Sequence, residues 1–369
     1  MKKIVYSGFY GFKNTGDDAF LEVAAWGSKK YLNADDVVFL GHDLPRLITE
    51  SRELSKPLFK GYDRIQTFKE LVNADYFISA GGSTFVNHKW HQLKEVALLA
   101  KQTMNRELKN GAIGVSIGPF ATSSDEKSVQ KYLQQIDFLT LRDRRSFEYV
   151  QSLNLPYQPI EAFDLAALLP FVYKDQTIIK TCSNRKIIGV SVCPYESISK
   201  KESISNEVRR NEEVVGLLQK LENESEDVLF RFFIMNGHPL FGDMKLTREV
   251  IEKSGVKNYE IIPYQKVVLD IWNLIGECNF MIATRLHAAI MAAYNNVPFI
   301  LNEYHQKCRD FLLDVGQHEK LVVSDAQYLD FAIVDSILDI VENKNNALAP
   351  TNIDETQMRS LKNFNIAIK

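Results

Sequence analysis

The sequence predicts an α/β protein with two domains, and three observations lead to this prediction. The chain has 369 residues, which is more than one hydrophobic core usually serves. Short β-branched runs alternate with amphipathic helical stretches from one end to the other. The apolar runs are continuous rather than alternating, which is typical of parallel sheets covered by helices on both faces.

Ten apolar runs predict strands, and several stretches between them have helical periodicity. The strands are predicted over Lys3–Tyr10, Val37–Leu40, Tyr76–Ala80, Ile113–Ile117, Phe138–Leu141, Ile187–Val192, Val228–Ile234, Tyr259–Ile262, Phe280–Ala283 and Pro298–Leu301. The predicted helices include Asp17–Leu32, His91–Leu108, Asn206–Leu221, Val267–Glu277, Leu286–Tyr294, Lys307–Val315 and Tyr328–Glu342.

The polar, irregular stretch Pro170–Lys186 separates the two halves. We therefore predict a first domain over residues 1–170, a second over 186–345 and a C-terminal tail over 346–369. In two-domain folds of this kind, such a tail often packs back on the first domain.

Composition limits the classes of function. The formal net charge is −3, and the dense basic run from Arg142 to Arg145 is interrupted by an aspartate, so we expect no nucleic-acid partner. The four cysteines are far apart and include no CxxC pair, which argues against a zinc ribbon or a disulfide framework. We expect no signal peptide, because the first residues lack a long apolar stretch, and no run of ~20 apolar residues occurs in the sequence. We expect a cytoplasmic protein, and peripheral attachment to the inner face of the membrane stays open.

The first unusual loop covers residues 8–21 and follows the first predicted strand. Its glycines let backbone amides approach a ligand, and the helix predicted from Asp17 presents its positive end there. Gly11 and Gly16 have the spacing of a nucleotide phosphate loop. Asp17 and Asp18 follow, however, where that motif needs Lys and then Ser or Thr. One such carboxylate can cap the helix, or it can accept a proton from a hydroxyl group.

A second loop, Gly81, Gly82 and Ser83, follows the strand Tyr76–Ala80 and suits close approach of the main chain to a ligand. His88 and His91 come next at a spacing that metal ligands also use. No third ligand has a matching spacing, so we interpret them as surface histidines.

The strongest signal is Arg285 with His287, where the strand Phe280–Ala283 ends and a helix begins near Leu286. An arginine beside the free amides of a helix start is a strong site for a phosphate or a carboxylate. A neighbouring histidine can donate to the same anion or exchange a proton near neutral pH. Alternatively, the arginine pairs with an acid and the histidine is a core residue. The position at a strand end favours the anion site.

His305 and Lys307 follow the next predicted strand. The ends of adjacent parallel strands lie together, so both side chains can reach the same anion as Arg285. The other interpretation is that Lys307 is a solvated residue in the first turn of a helix.

Taken together, these loops resemble the polysaccharide pyruvyl transferase family from the first strand to about Val315. The motifs that carry the resemblance occur in the family's order: Asn14, Gly16 and Asp17; Gly81, Gly82 and Ser83; Gly118 and Pro119; Arg142, Asp143 and Ser146; Asp164; Arg285, Leu286, His287 and Ala288; Tyr304 and Lys307. Two residues depart from the expected pattern, namely Thr284 and His305.

The resemblance implies two Rossmann-like lobes similar to the GT-B glycosyltransferase architecture. It also implies transfer of the enolpyruvyl unit of phosphoenolpyruvate to a sugar or lipid-linked oligosaccharide acceptor, with no cofactor or metal. In that interpretation the second lobe binds the donor through Arg285, Leu286, His305 and Lys307. His287 is the candidate general acid.

The first lobe would serve the acceptor through Asn14, Gly16, Asp18 and the glycine loop at 81–83, with Asp17 orienting or deprotonating its hydroxyls. Two alternatives stay open: a glycosyltransferase that uses a nucleotide sugar, and a non-catalytic scaffold of polysaccharide assembly.

Overall fold

A computed structural model describes residues 1–87, 92–176, 185–199, 204–225, 227–325, 328–343 and 348–366. Within these ranges the strands are β1 Lys3–Ser7, β2 Asp36–Phe39, β3 Arg52–Glu53, β4 Tyr76–Ala80, β5 Lys109–Val115, β6 Phe138–Leu141, β7 Ile160–Glu161, β8 Lys186–Ser191, β9 Val228–Phe233, β10 Tyr259–Ile262, β11 Phe280–Ala283, β12 Phe299–Asn302 and β13 Val322–Val323.

The helices alternate with these strands, as the sequence pattern predicts. They are α1 Thr15–Leu32, α2 Tyr62–Val72, α3 Gln92–Thr103, α4 Ser123–Leu133, α5 Arg144–Gln151, α6 Leu169–Val172, α7 Tyr195–Ser199, α8 Ile204–Glu224, α9 Met244–Ser254, α10 Val268–Gly276, α11 Leu286–Tyr294, α12 Gln306–Asp314, α13 Ile333–Asn343 and α14 Ile353–Leu361. Short 3₁₀ turns cover Leu165–Leu168, Glu319–Leu321 and Lys362–Phe364.

Two separate sheets result, and every strand pair in them is parallel. The first has the order β3-β2-β1-β4-β5-β6-β7 and the second the order β10-β9-β8-β11-β12-β13. All five residues of β1 and all six of β9 are buried, because helices cover both faces of each sheet. The predicted α/β class with parallel sheets is therefore confirmed.

Three strands that the sequence analysis did not predict lie at sheet edges. β3, β7 and β13 each contain only two residues, which is too short for any apolar pattern to identify them. Several predicted boundaries also differ from the structure, and α1 and β5 are two examples. α1 begins two residues before the predicted start at Asp17, and β5 begins four residues before the predicted start at Ile113.

The chain forms two units, and neither is a continuous segment. Unit 1 contains Met1–Gly11, Asp17–Val172 and Asp354–Lys369, and unit 2 contains Phe12–Gly16 and Tyr173–Ile353. The linear division at 1–170, 186–345 and 346–369 therefore needs two changes. The segment 12–16 belongs with the second half, and the tail from 354 onward belongs with the first.

Hydrogen bonds explain why the tail belongs to unit 1. Nε2 of Gln357 donates to the carbonyl of Ala167 at 3.1 Å, and Oγ of Ser360 donates to the carbonyl of Asp164 at 2.8 Å. The buried side chain of Asn363 donates to the carbonyl of Phe163 at 2.8 Å. None of the helices in the described ranges is both long and apolar enough to cross a bilayer.

Candidate functional site

The carboxyl edge of the unit 2 sheet contains the strongest sequence motif. The strand order reverses its direction between β8 and β11, and doubly wound sheets bind ligands at such a switch point. Arg285 follows β11 directly, while Cys193 lies just beyond the end of β8. The fold thus brings Arg285 to the position where a ligand is expected.

The backbone of Arg285 is fixed by the end of β8. The amide of Thr284 donates to the carbonyl of Ser191 at 2.7 Å, and the amide of Arg285 donates to the hydroxyl of Ser191 at 3.3 Å. Arg285 itself has extended backbone angles and precedes the first turn of α11. The first amides of a helix have no partner within it, and in α11 these include the amides of Leu286 and His287.

The guanidinium of Arg285 pairs with Asp243, a residue that sequence analysis did not identify. Nε lies 3.0 Å from Oδ1 of Asp243, and Nη2 donates to the same oxygen. Asp243 is fully buried, and its other oxygen accepts from the amide of Asn236 at 2.8 Å. No sequence spacing links positions 243 and 285, which only the fold brings together.

The ion pair with Asp243 engages only part of the Arg285 guanidinium. In the described part of the chain, the side-chain hydrogen bonds of Arg285 come from Nε and Nη2, and 18% of its side chain stays exposed. Burial acts to lower the pKa of Arg285, but the neighbouring Cys193 and Asp243 raise it, so the group stays a cation. Arg285 therefore pairs with an acid, and Nη1 lies outside this pairing; binding of an anion by Arg285 stays a prediction.

His287 lies in the first turn of α11 and is half-buried. A methyl group on Gly16 would lie 2.2 Å from its Nδ1, so the backbone at Gly16 packs directly against the imidazole. The amide of Thr15 donates to the carbonyl of Met235 at 2.9 Å and holds this segment in place.

Asn14 and Gly16 are predicted to serve the acceptor from the first domain; the structure places them in unit 2, and their acceptor role stays a prediction. Both belong to unit 2, where Asn14 forms a β-bridge with Asn236. The side chain of Asn14 accepts from the amide of Gly16 at 3.1 Å and caps the start of α1. Asp17 is the third residue of α1, so it does not take the position before the helix that a capping residue occupies.

The end of β12 adds a second cation near the switch point. Nζ of Lys307 lies 5.2 Å above the ring of Tyr304, whose ring centroid lies 4.8 Å from that of Tyr195. Burial raises the pKa of Cys193 to about 12, and the charges of Arg285 and Lys307 oppose that shift. The charges of both cations therefore act on the same buried thiol, which is uncharged at neutral pH.

His305 has a structural task in this segment. Its Nδ1 accepts from the amide of Lys307 at 3.2 Å and so caps α12. A contact between His305 and a donor substrate stays a prediction.

The carboxyl edge of the unit 1 sheet holds the remaining predicted residues. Gly81 and Gly82 follow β4 with φ angles of +68° and +74°, a conformation that glycine adopts without strain. A methyl group on Gly82 would lie 3.8 Å from Oδ1 of Asp17, so the glycine loop and this carboxylate are neighbours. Asp18, the next residue, is buried. β1 and β4 flank the switch point of this sheet.

Ser83 belongs to a buried polar network rather than to an open loop. Arg142 donates to Asp164 at 2.9 Å, to Ser116 at 2.8 Å and to Ser83 at 3.3 Å. Three of the family-like motifs therefore meet in one place and hold the ends of neighbouring strands together. His88 and His91 lie outside the described residues.

The family model described as polysaccharide pyruvyl transferase matches residues 14–306. The chain belongs to this family. The match spans both units and includes the segment from Asn14 to Asp17 as well as Arg285, His287 and His305.

Solved structures with the same fold come from another group of sugar enzymes. UDP-GlcNAc 2-epimerase from Neisseria meningitidis, bound to UDP-GlcNAc, has a TM-score of 0.57 and 12% identity, with 100% of this chain and 97% of that chain covered. UDP-GlcNAc 2-epimerase from Methanocaldococcus jannaschii has a TM-score of 0.59 and 12% identity, with 98% of each chain covered. At this identity the likeness shows the fold alone, and it confirms the expected GT-B-like architecture.

Proposed function

We propose that the protein transfers the enolpyruvyl unit of phosphoenolpyruvate to a sugar of a surface polysaccharide or its precursor and forms a pyruvate ketal. One observation carries the proposal. At the switch point of unit 2, Arg285 lies beside His287, and only part of its guanidinium is engaged in the pair with Asp243. We further propose that the reaction takes place in the cytoplasm and needs no cofactor besides phosphoenolpyruvate as co-substrate.

The donor has a phosphate and a carboxylate, and its pocket needs cations at fixed positions. Arg285 is held by Asp243, so its planar fork is oriented before a ligand arrives. Lys307 and the first amides of α11 supply further positive charge. Each charge-assisted hydrogen bond contributes roughly 1.5–3 kcal/mol.

The proposed reaction begins with a proton moving to the methylene carbon of phosphoenolpyruvate, which makes C2 electrophilic. One sugar hydroxyl adds to C2 and loses its proton, the C–O bond to phosphate breaks and phosphate leaves, and a second hydroxyl adds to C2 and loses its proton to close the ketal. His287 is the proposed general acid, a role typically worth ~10²–10⁴ in rate. Asp17 is proposed to orient or deprotonate the acceptor hydroxyls.

Phosphate release from phosphoenolpyruvate by the purified protein, with and without a panel of glycosides, tests the proposal. We expect release that depends on the acceptor and is lost in His287→Ala with an unchanged melting temperature. Near-normal turnover of that variant would remove His287 from the mechanism. Absence of release with every acceptor, together with no stabilisation by phosphoenolpyruvate, would contradict the proposed reaction.

A nucleotide-sugar donor is the second candidate, since enzymes with this fold include one bound to UDP-GlcNAc. A thermal-shift comparison separates the two donors. A ligand at 100 times its Kd adds roughly 2.7 kcal/mol of stability. Stabilisation by UDP-GlcNAc but not by phosphoenolpyruvate would favour this candidate, and stabilisation by neither would favour a scaffold.

A further inference from the structure

Two hydrogen-bonded loops in unit 2 expose three large apolar side chains. The loops cover residues 12–14 and 236–243, and we call them the loop pair. Leu240 is 80% exposed, Phe12 54% and Phe241 50%. The surfaces of soluble proteins commonly expose single apolar residues, but a group of apolar side chains on two joined loops indicates an interaction site.

Backbone hydrogen bonds hold the two loops of the loop pair together, although their tip is apolar. The amide of Gly237 donates to the carbonyl of Lys13 at 2.8 Å, and Asn14 bridges to Asn236. With this antiparallel pairing, Phe12 lies opposite His238, whose ring stacks on Phe241 with 4.9 Å between centroids. The exposed side chains are therefore presented by a folded framework.

The polar side chains of the loop pair are used within it. Nδ1 of His238 accepts from the amides of Leu240 at 3.2 Å and Phe241 at 3.1 Å. Oδ1 of Asn236 accepts from the amide of His238 at 2.9 Å, and Asp243 holds Arg285. A saccharide needs polar partners for its hydroxyl groups, and these side chains are already occupied.

Three exposed charges beside the apolar tip are positive, and one of them, Lys245, lies 3.9 Å from the exposed carboxylate of Glu249. In residues 12–16 and 236–248 the exposed charged side chains are Lys13, Lys245 and Arg248, and the single acid, Asp243, is fully buried. The whole chain has a formal net charge of −3, so this concentration is local. Apolar side chains flanked by lysine and arginine match the interface of an anionic bilayer.

We propose that the loop pair binds the surface of an anionic phospholipid bilayer, with Phe12, Leu240 and Phe241 entering the headgroup boundary. The three cations would then lie at the level of the lipid phosphates. This proposal does not rest on the reaction proposed above. It would place the Asp243–Arg285 pair next to the membrane surface, because Asp243 closes the loop that has Leu240 at its tip.

Co-sedimentation with vesicles tests this binding in the full-length protein. We expect binding to vesicles of phosphatidylglycerol and phosphatidylcholine, and much weaker binding to pure phosphatidylcholine. The double substitution Leu240→Ser and Phe241→Ser should weaken binding by about a hundredfold, on the order of tenfold per apolar side chain. Lys13→Gln should weaken it roughly fivefold, and Lys245→Gln should weaken it less, because Glu249 already offsets part of the Lys245 charge.

The control is Leu313→Ser, which changes an equally exposed leucine of α12 outside the loop pair. It should bind vesicles as the unchanged protein does, and melting temperatures check that all variants fold. Failure of the unchanged protein to sediment with anionic vesicles would overturn the proposal. Unchanged vesicle binding by the double variant would also overturn it. The same holds if the double variant keeps vesicle binding but loses affinity for a glycoside acceptor.

Discussion

Each sheet has an arginine–aspartate pair at its carboxyl edge, and the two pairs are used in different ways. In unit 1, the donors of Arg142 are engaged by Asp164, Ser116 and Ser83, and its side chain is only 7% exposed. In unit 2, Arg285 pairs with Asp243 but keeps Nη1 outside that pairing and more of its surface exposed.

The two pairs therefore differ in what they leave for a ligand. All three guanidinium nitrogens of Arg142 form hydrogen bonds within the protein, and its side chain is almost fully buried. A guanidinium held on one side by a buried carboxylate is oriented and still has donors to offer. The same sequence signal, an arginine directly after a strand, therefore occurs at two differently engaged sites, and ligand binding at Arg285 stays a prediction.

The largest expected effect is on the unit 1 pair. Arg142→Ala leaves Asp164 buried without its cation, and we expect a loss of about 3–5 kcal/mol in the free energy of unfolding, measured in urea. Arg144→Ala is the matched control, because Arg144 forms an exposed i,i+4 pair with Glu148 and should change stability by less than ~0.5 kcal/mol. Equal losses in the two variants would mean that the Arg142 network does not support unit 1.

A buried carboxyl group of unit 1 sharpens the contrast with Asp243. Glu22 on α1 accepts from the amide of Ile48 at 3.0 Å rather than from a guanidinium. Burial raises the pKa of Glu22 to about 7, and the amides of Ile48 and Thr49 oppose this shift.

Because the folded protein holds this proton more tightly than the unfolded chain, Glu22 costs stability as the pH rises from about 4.5 to about 7. Glu22→Gln removes that cost and should be more stable than the unchanged protein by up to about 3 kcal/mol at pH 8. The two proteins should be similar in stability at pH 4.5. Urea unfolding at both pH values measures the difference, and a difference independent of pH would contradict the assignment.

The sequence was sufficient for the class of fold and for the main strand ends. Continuous apolar runs identify buried parallel strands, and the loop after β11 is the place where Arg285 and His287 are found. The two-residue edge strands were missed, because so short a segment has no measurable periodicity.

The partners of the predicted residues could not be obtained from the sequence. Asp243 lies 42 positions from Arg285, and Asp164 lies 22 positions from Arg142, so only the folded chain identifies them. For the same reason Asn14 and Gly16 were placed in the wrong unit: their contacts are with Asn236 and His287, which lie beyond the predicted domain boundary.

The role of the Arg285–Asp243 pair can be tested with a substitution that keeps the positive charge of Arg285 and changes the shape of its side chain. Arg285→Lys preserves a cation beside Asp243 but loses the planar fork, so we expect the KM or Kd for phosphoenolpyruvate to rise about 10- to 150-fold, equivalent to roughly 1.5–3 kcal/mol. Arg248→Lys, at an exposed site on α9 of the same unit, is the control. An unchanged donor affinity in Arg285→Lys would argue that Arg285 has only the structural role of Arg142.

The smallest expected effects come from Gly16→Ala and Gly82→Ala, each of which adds one methyl group beside one of the two sheet edges. At Gly16 the methyl would lie 2.2 Å from Nδ1 of His287, so Gly16→Ala must displace the imidazole or the start of α1. At Gly82 the nearest atoms lie 3.8 Å away, and the cost is the strain of a φ of +74°.

We therefore expect Gly82→Ala to lower stability by about 1–2 kcal/mol with little change in turnover. Gly16→Ala should lower kcat about tenfold, a barrier change of roughly 1.4 kcal/mol, because the general acid moves. Steady-state phosphate release and urea unfolding of both variants separate these outcomes. If turnover falls equally in Gly16→Ala and Gly82→Ala, the reaction does not depend specifically on the space that Gly16 leaves for His287. The two sheet edges would then contribute equally to turnover.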